Sequence, residues 1–281
     1  MRYRRPGLDA FSHGLLIIGA LIFMLPVVLA LMASTHDLGS LVSGTLPLLP
    51  GDQGLDNYVQ LLTQPVSGVS VPTWQLMINS LIMALGIAIG KLAVSLLAAY
   101  AIVFFNFRFR MLCFWLIFVT LMLPVEVRIV PTYGVVADLG LLNSYPGLIL
   151  PLIASATATF LFRQFFLTLP PELLEAARLD GAGPWRFFRD ILLPLSKTNI
   201  AALFVIMFIY GWNQYLWPLL AASDARYATV VMSLKRLTIA QSGIPPWQMA
   251  TAMSVLALLP PVVVIVVMQR WFVKGLVDSE K

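Results

Sequence analysis

Long apolar runs alternate with short polar stretches along almost the whole chain. Six runs stand out, roughly Phe11–Ala33, Leu76–Phe105, Met111–Val130, Tyr145–Leu167, Asn199–Ala221 and Ala250–Phe272. Each comes close to or exceeds the ~20 apolar residues a helix needs to cross a bilayer core. The runs are too long and too uniformly apolar for barrel strands, whose side chains alternate between lipid and lumen. Helices satisfy their own backbone in lipid, so the pattern predicts an all-α integral membrane protein with six transmembrane helices. The second run is long enough to tilt or to extend past the membrane. The first is longer than the apolar part of a signal peptide, although Val28-Leu29-Ala30 is a weak cleavage pattern. It is read as an uncleaved first span.

Composition agrees. The chain is 59% hydrophobic and only 11% charged, against about 25% charged in soluble domains. The net charge of +5 is no nucleic-acid signal, because Lys and Arg cluster at the ends of apolar runs. Arg2, Arg4 and Arg5, then Arg108 and Arg110, then Arg178, Arg186, Arg189 and Lys197, and finally Arg270, Lys274 and Lys281 fall on one side. The positive-inside rule makes that side cytoplasmic, with both termini. The stretch from Ser34 to Gln75 has no Lys or Arg and is read as the long external loop. Arg226, Lys235 and Arg236 sit in the last external loop against the rule.

The loop between spans four and five has a pattern of its own. Pro170-Pro171 opens a short helix, where the missing N–H costs nothing. Glu172 lies in its first turn, where the helix dipole favours a carboxylate. Leu173, Ala176, Ala177 and Asp180 follow at i, i+3, i+4 and i+7 and share a face. The two alanines make that face flat enough for another protein to approach closely. Gly181 supplies the reversal common at helix C-termini. Pro184 opens a second short helix, which Pro194 closes. The prediction is a compact helix-turn-helix projecting from the membrane.

Little else points to chemistry. There is no phosphate-binding GxxxxGK[ST] loop, and no nucleophile–base or paired-carboxylate constellation. Cys113 is the one cysteine, so no intrachain disulfide forms. His13 and His36 are too few for a metal site. Lys91, near the middle of span two, is expensive there; it either attracts an anionic substrate or plays a structural part. Glu126 and Arg128 lie between Pro124 and Pro131, which suggests irregular backbone at the external end of span three. The fork of Arg128 suits a phosphate, and an ion pair with another subunit is the other reading. Asn79, Trp212 and Asn213 are polar or aromatic positions that line a polyol pathway or serve helix–helix hydrogen bonding and interfacial anchoring.

The stretch Glu175-Ala-Ala-Arg-Leu-Asp-Gly-Ala182 with its downstream Phe-to-Pro spacing resembles the EAA loop of bacterial ABC importer permeases. Six spans, a long first external loop and one such loop before span five look like the MalG-type permeases of carbohydrate importers. Thr120–Arg128, Ala154–Phe166, Pro194–Asn199, Tyr210–Pro218 and Gly275–Lys281 carry a closer resemblance to the glycerol-3-phosphate branch of that family. The resemblance implies a single permease domain over 1–281, with its core at about 76–272, in a bacterial inner membrane. It implies import of sn-glycerol-3-phosphate and glycerophosphodiesters, with a sugar or polyol as the alternative cargo. Leu173, Glu175, Ala176, Ala177, Asp180 and Gly181 are then the ATPase-coupling residues, and Arg128, Lys91, Asn79, Trp212 and Asn213 the substrate-path candidates. The chain itself would be no enzyme and hold no cofactor. A UgpC-like ATPase homodimer would bind ATP and Mg, beside a UgpA-like second permease and a UgpB-like periplasmic binding protein.

Overall fold

The computed structural model describes residues 6–44, 48–66, 68–120, 125–239 and 243–278. Among the described residues the chain is helical, and its only β feature is an isolated bridge between Val66 and Val69. It divides into two compact units, one of residues up to Gln75 with Ser233–Leu259, the other of Leu76–Met232 with Pro260 onward.

In the first unit, α1 (Pro6–Ala33) exposes nearly all of its apolar surface, with Phe23 83% exposed. A helix apolar all round is a membrane span. The stretch expected as an external loop carries α2 (Leu38–Val42) and α3 (Gly54–Thr63). Polar side chains tie it to the turn that follows α1. Asn57 Nδ2 donates to the Ser34 and His36 carbonyls at 3.0 and 2.9 Å. The Gly51 N–H donates to Thr35 Oγ1 at 2.7 Å.

The second unit is built on α4 (Thr73–Phe104), which begins just before it. Then come α5 (Arg110–Val119), α6 (Val125–Asp138), α7 (Tyr145–Ile149) running into a 3-10 turn at Leu150–Leu152, and α8 (Ala156–Leu167). The loop helices are α9 (Glu172–Leu179) and α10 (Pro184–Phe187), followed by a π turn at Phe188–Leu192 and α11 (Leu193–Leu195). Next are α12 (Lys197–Trp212), α13 (Leu216–Ala221), a 3-10 turn at Ala225–Tyr227 and α14 (Val230–Thr238), which runs into the first unit. Finally α15 (Trp247–Asp278) belongs to both units.

The six expected spans are not six uninterrupted helices. Phe11–Ala33, Thr73–Phe104 and Trp247–Trp271 are each long and apolar enough to cross a membrane. The expected fourth span is the pair Tyr145–Leu152 and Ala156–Leu167, bent by 49°. Ser155 causes the break: its hydroxyl accepts the Ala158 N–H at 3.3 Å and starts a new helix. Pro184–Leu195 and Lys197–Trp212 meet at 74°. The expected third span is α5, ten residues long, or ~15 Å, and α6 follows it; residues 121–124 lie outside the described set. The Arg128 segment is a correction, since it is helical rather than irregular and carries Pro131 inside α6.

Close packing brings α7 onto α4. Gly86 and Gly90 stand one turn apart, and a Cβ on either would lie 2.6 Å from Ile149 Cδ1 or 2.5 Å from Ile153 Cγ2. Small residues at this spacing let helices approach in lipid, where no hydrophobic force draws them together. Around the seam Met83, Ile87, Ile129, Leu148, Leu152 and Trp217 form a buried cluster.

Candidate coupling site and membrane cations

The α9–α10 hairpin is closed by local hydrogen bonds that its sequence encodes. The Ala182 N–H reaches the Ala177 carbonyl at 2.9 Å, and the Gly181 N–H reaches that of Arg178 at 3.0 Å. This is a Schellman closure, which needs a left-handed residue after the helix cap. Gly181 takes φ 71° and provides it. Glu172 and Glu175 occupy the first turn and Arg178 the last, each complementing the dipole. The second helix does not close at Pro194 as expected. Pro194 has no N–H for the Asp190 carbonyl, and the widened turn at Phe188–Leu192 carries the chain past it to Ser196.

The hairpin sits against the end of α4. Tyr100 Oη donates to the Pro184 carbonyl at 2.8 Å. The Tyr100 ring lies 5.0 Å from Phe188, and Phe104 lies 5.3 Å from Phe187 and 5.8 Å from Phe166, between centroids. Beneath them is a cavity of about 280 Å³ lined by Tyr100, Phe104, Leu174, Ala177, Pro184 and Phe187, with Asn106 and Arg178.

This packing corrects one expectation. Ala177 is only 4% exposed and faces its own chain, so it does not share an outer face with Ala176. It lines the cavity together with Pro184. The exposed residues of α9 are Glu172, Leu173, Glu175, Ala176, Arg178 and Leu179, with Asp180 at its cap. Leu179, 90% exposed, and Trp185, 65% exposed, were not singled out from the sequence. The spacing of Leu179 three after Ala176 carried the signal, since i and i+3 share a face.

The proposed path residues scatter. Asn79 is buried and fully used: Nδ2 donates to the Arg226 and Ala228 carbonyls at 2.8 Å each, and its Oδ1 accepts from Tyr145 Oη at 2.7 Å. It therefore anchors the connection after α13 rather than presenting a polar group to a path. Arg226 itself bonds to Asp224 at 2.7 Å, and that contact holds the Asp224 carboxyl below the usual carboxylate range. Trp212 is buried in a stack with Phe208. Asn213 caps α12 and is exposed where the chain breaks before α13. Lys91 is buried with Nζ 3.7 Å from the Tyr210 ring centroid, a cation–π contact. Arg128 is exposed on α6. No carboxylate pairs with Lys91 or Arg128 among the described residues, and the Glu126 side chain lies outside them. Nor do three metal-ligating side chains gather among the described residues.

Residues 91–278 match the family described as binding-protein-dependent transport system inner membrane component. The chain belongs to that family. It is thus a multi-pass inner-membrane component of a transport system, and the α9–α10 hairpin, Lys91 and Arg128 lie within the matched region. Proteins named sn-glycerol-3-phosphate transport system permease protein UgpE are similar over nearly the full length. Those of Agrobacterium fabrum and Rhizobium meliloti are 55% and 54% identical, and that of Salmonella typhi is 56% identical, each over 99% of both chains. A solved bacterial ABC transporter described as importing the acidic polysaccharide alginate has the same fold, with a TM-score of 0.82 at 22% identity over 97% of this chain and 99% of that one.

Proposed function

We propose that this chain is a permease subunit of an ABC importer that brings sn-glycerol-3-phosphate and glycerophosphodiesters across the inner membrane. The observation that carries the substrate is identity of 54% to 56% over 99% of relatives named for that cargo. The hairpin supports the coupling role, because it presents Ala176, Leu179 and Trp185 outward while its inner side is tied to α4. In this reading the whole chain is one permease domain with both termini cytoplasmic. A homodimeric ATPase binds ATP and Mg and seats the α9 face. A second permease completes the path, and a periplasmic binding protein delivers the cargo. Closure of the ATPase dimer moves the hairpin, and the α4 tie passes the motion into rigid-body rocking between two packed states.

The test is uptake by the reconstituted complex in liposomes, with labelled sn-glycerol-3-phosphate competing against unlabelled sugars and polyols. ATP-dependent accumulation of the phosphate ester, resistant to sugar, is the expected result. Accumulation of a sugar or polyol instead would replace the cargo and leave the permease role standing.

A further inference from the structure

Among the described residues Arg163 is a cation without a counter-charge, on a bent pair of helices long and apolar enough to cross a membrane. It lies on α8, one turn before the helix ends at Leu167. Its guanidinium carbon stands 4.2 Å from the centroid of the Phe114 ring on α5. Its Nε is buried with no hydrogen-bond partner among the described residues. No carboxylate pairs with it there either. The sequence offers none nearby: no Asp or Glu occurs between Asn106 and Val125, or between Leu139 and Pro171. The ring face offsets part of the cost of holding this charge in lipid. The donors of the planar fork still call for an oxyanion from outside the chain.

The surroundings give that anion a shape. Arg110 lies one turn before Phe114 at the start of α5, and Arg108 is exposed just beyond it. On the membrane side of these charges α5 exposes Leu112, Trp115 and Leu116, and α8 exposes Leu161. A basic end above an apolar flank matches a molecule with a charged head and hydrocarbon tails. Trp115, 54% exposed, has the amphipathic ring that favours the headgroup level. A side chain one turn inside the interface reaches that level by extending along the helix.

We infer that the α5–α8 flank binds the phosphate of an anionic phospholipid, with Arg163 as its bidentate partner and Arg110 as a second cation. Which leaflet supplies the lipid rests on the orientation proposed above, while the binding itself does not rest on the identity of the cargo. The bound headgroup supplies the missing counter-charge and holds α8 to α5 beside the coupling hairpin.

The experiment uses the assembled complex in nanodiscs of equimolar phosphatidylcholine and phosphatidylglycerol, with retained lipid counted by native mass spectrometry. Wild-type complex is expected to keep phosphatidylglycerol, and Arg163→Gln to retain on the order of tenfold less. Arg163→Lys keeps the charge but loses the fork, and falls between them. Equal retention in wild type and Arg163→Gln would overturn the site. So would loss of the second permease from Arg163→Gln complexes, which would assign the guanidinium to a carboxylate of that subunit. In discs of phosphatidylcholine alone, Arg163-dependent binding of free sn-glycerol-3-phosphate would assign it to a soluble phosphate ester instead. Lipid retention is counted without transport, so a different cargo leaves the result untouched.

Discussion

The hydroxyl of Tyr100 donates to the carbonyl of Pro184 at 2.8 Å, joining the end of α4 to the first residue of α10. This bond spans 84 residues of sequence. It fixes a membrane-crossing helix to the hairpin that faces outward with Leu179 and Trp185. The coupling role proposed for the hairpin calls for such a joint, because a hairpin free to swing would absorb a partner's motion rather than pass it on.

Tyr100→Phe tests the joint. It removes the hydroxyl, leaves the Pro184 carbonyl without that partner and keeps the ring among Phe104, Phe187 and Phe188. The loss of one hydrogen bond costs ~0.5–1.5 kcal/mol, so the complex should still assemble. Uptake per ATP hydrolysed should fall. Unchanged stoichiometry of uptake to hydrolysis in liposomes would show that the tie carries no coupling.

Adjacent alanines should behave differently. Ala176 is exposed and Ala177 is buried against the cavity under the hairpin. Ala176→Trp should leave the isolated permease as stable as wild type but weaken co-purification of the ATPase. Ala177→Trp should act within the chain, by ~1–3 kcal/mol of overpacking, read as a lower unfolding temperature before any partner is added. Equal effects of both on ATPase retention, with both proteins stable, would contradict the inward turn of Ala177.

Much of this was legible in the sequence. The apolar runs gave the helical membrane class, and Pro170-Pro171, Asp180-Gly181 and Pro184 gave the hairpin and its turn, because those signals are local. Less legible were the breaks inside the fourth and fifth runs. Ser155 sits in an apolar context, and its capping role depends on the backbone it finds. The face of Ala177 was missed because periodicity gives neighbours on a helix but not which side meets the rest of the chain. Asn79 looked like a path residue because its partners, the Arg226 and Ala228 carbonyls, lie 147 and 149 residues away.

Asn79→Ala should therefore be a stability defect. It strips two carbonyls and the Tyr145 hydroxyl of their partner, at about 1–3 kcal/mol for each group left buried and unpaired. The unfolding temperature in detergent should drop, and uptake should fall only as far as folded protein is lost. Normal thermal stability with abolished uptake would return Asn79 to the path.

Charge placement makes a sidedness prediction. The stretch from Ser34 to Gln75 has no Lys or Arg, while the hairpin region carries Arg178, Arg186 and Arg189. In a Cys113→Ser background, Asp52→Cys should react with an impermeant maleimide from the periplasmic side. Arg186→Cys should react only after the membrane is opened. Periplasmic labelling of both would refute the assigned orientation.

The last prediction concerns two cations of the membrane region, Lys91 and Arg128. Lys91 is buried on Tyr210, and Arg128 is exposed on α6. Two like charges without an acid among the described residues are costly to hold in a membrane protein. Replacing a buried charge that has no acid partner by an apolar side chain of similar length removes its desolvation cost and keeps the packing volume. Lys91→Met should thus leave the unfolding temperature unchanged or raise it. If the cations offset the charge of a phosphate ester in transit, both Lys91→Met and Arg128→Gln should lower its uptake on the order of tenfold each. Assembly and basal ATPase activity should stay intact. Arg128→Lys should recover part of the loss, since it restores the charge without the fork. Full uptake in both neutral variants would remove these residues from the path and leave the second permease to supply the counter-charge. Loss of assembly in Arg128→Gln would place Arg128 in an ion pair between subunits.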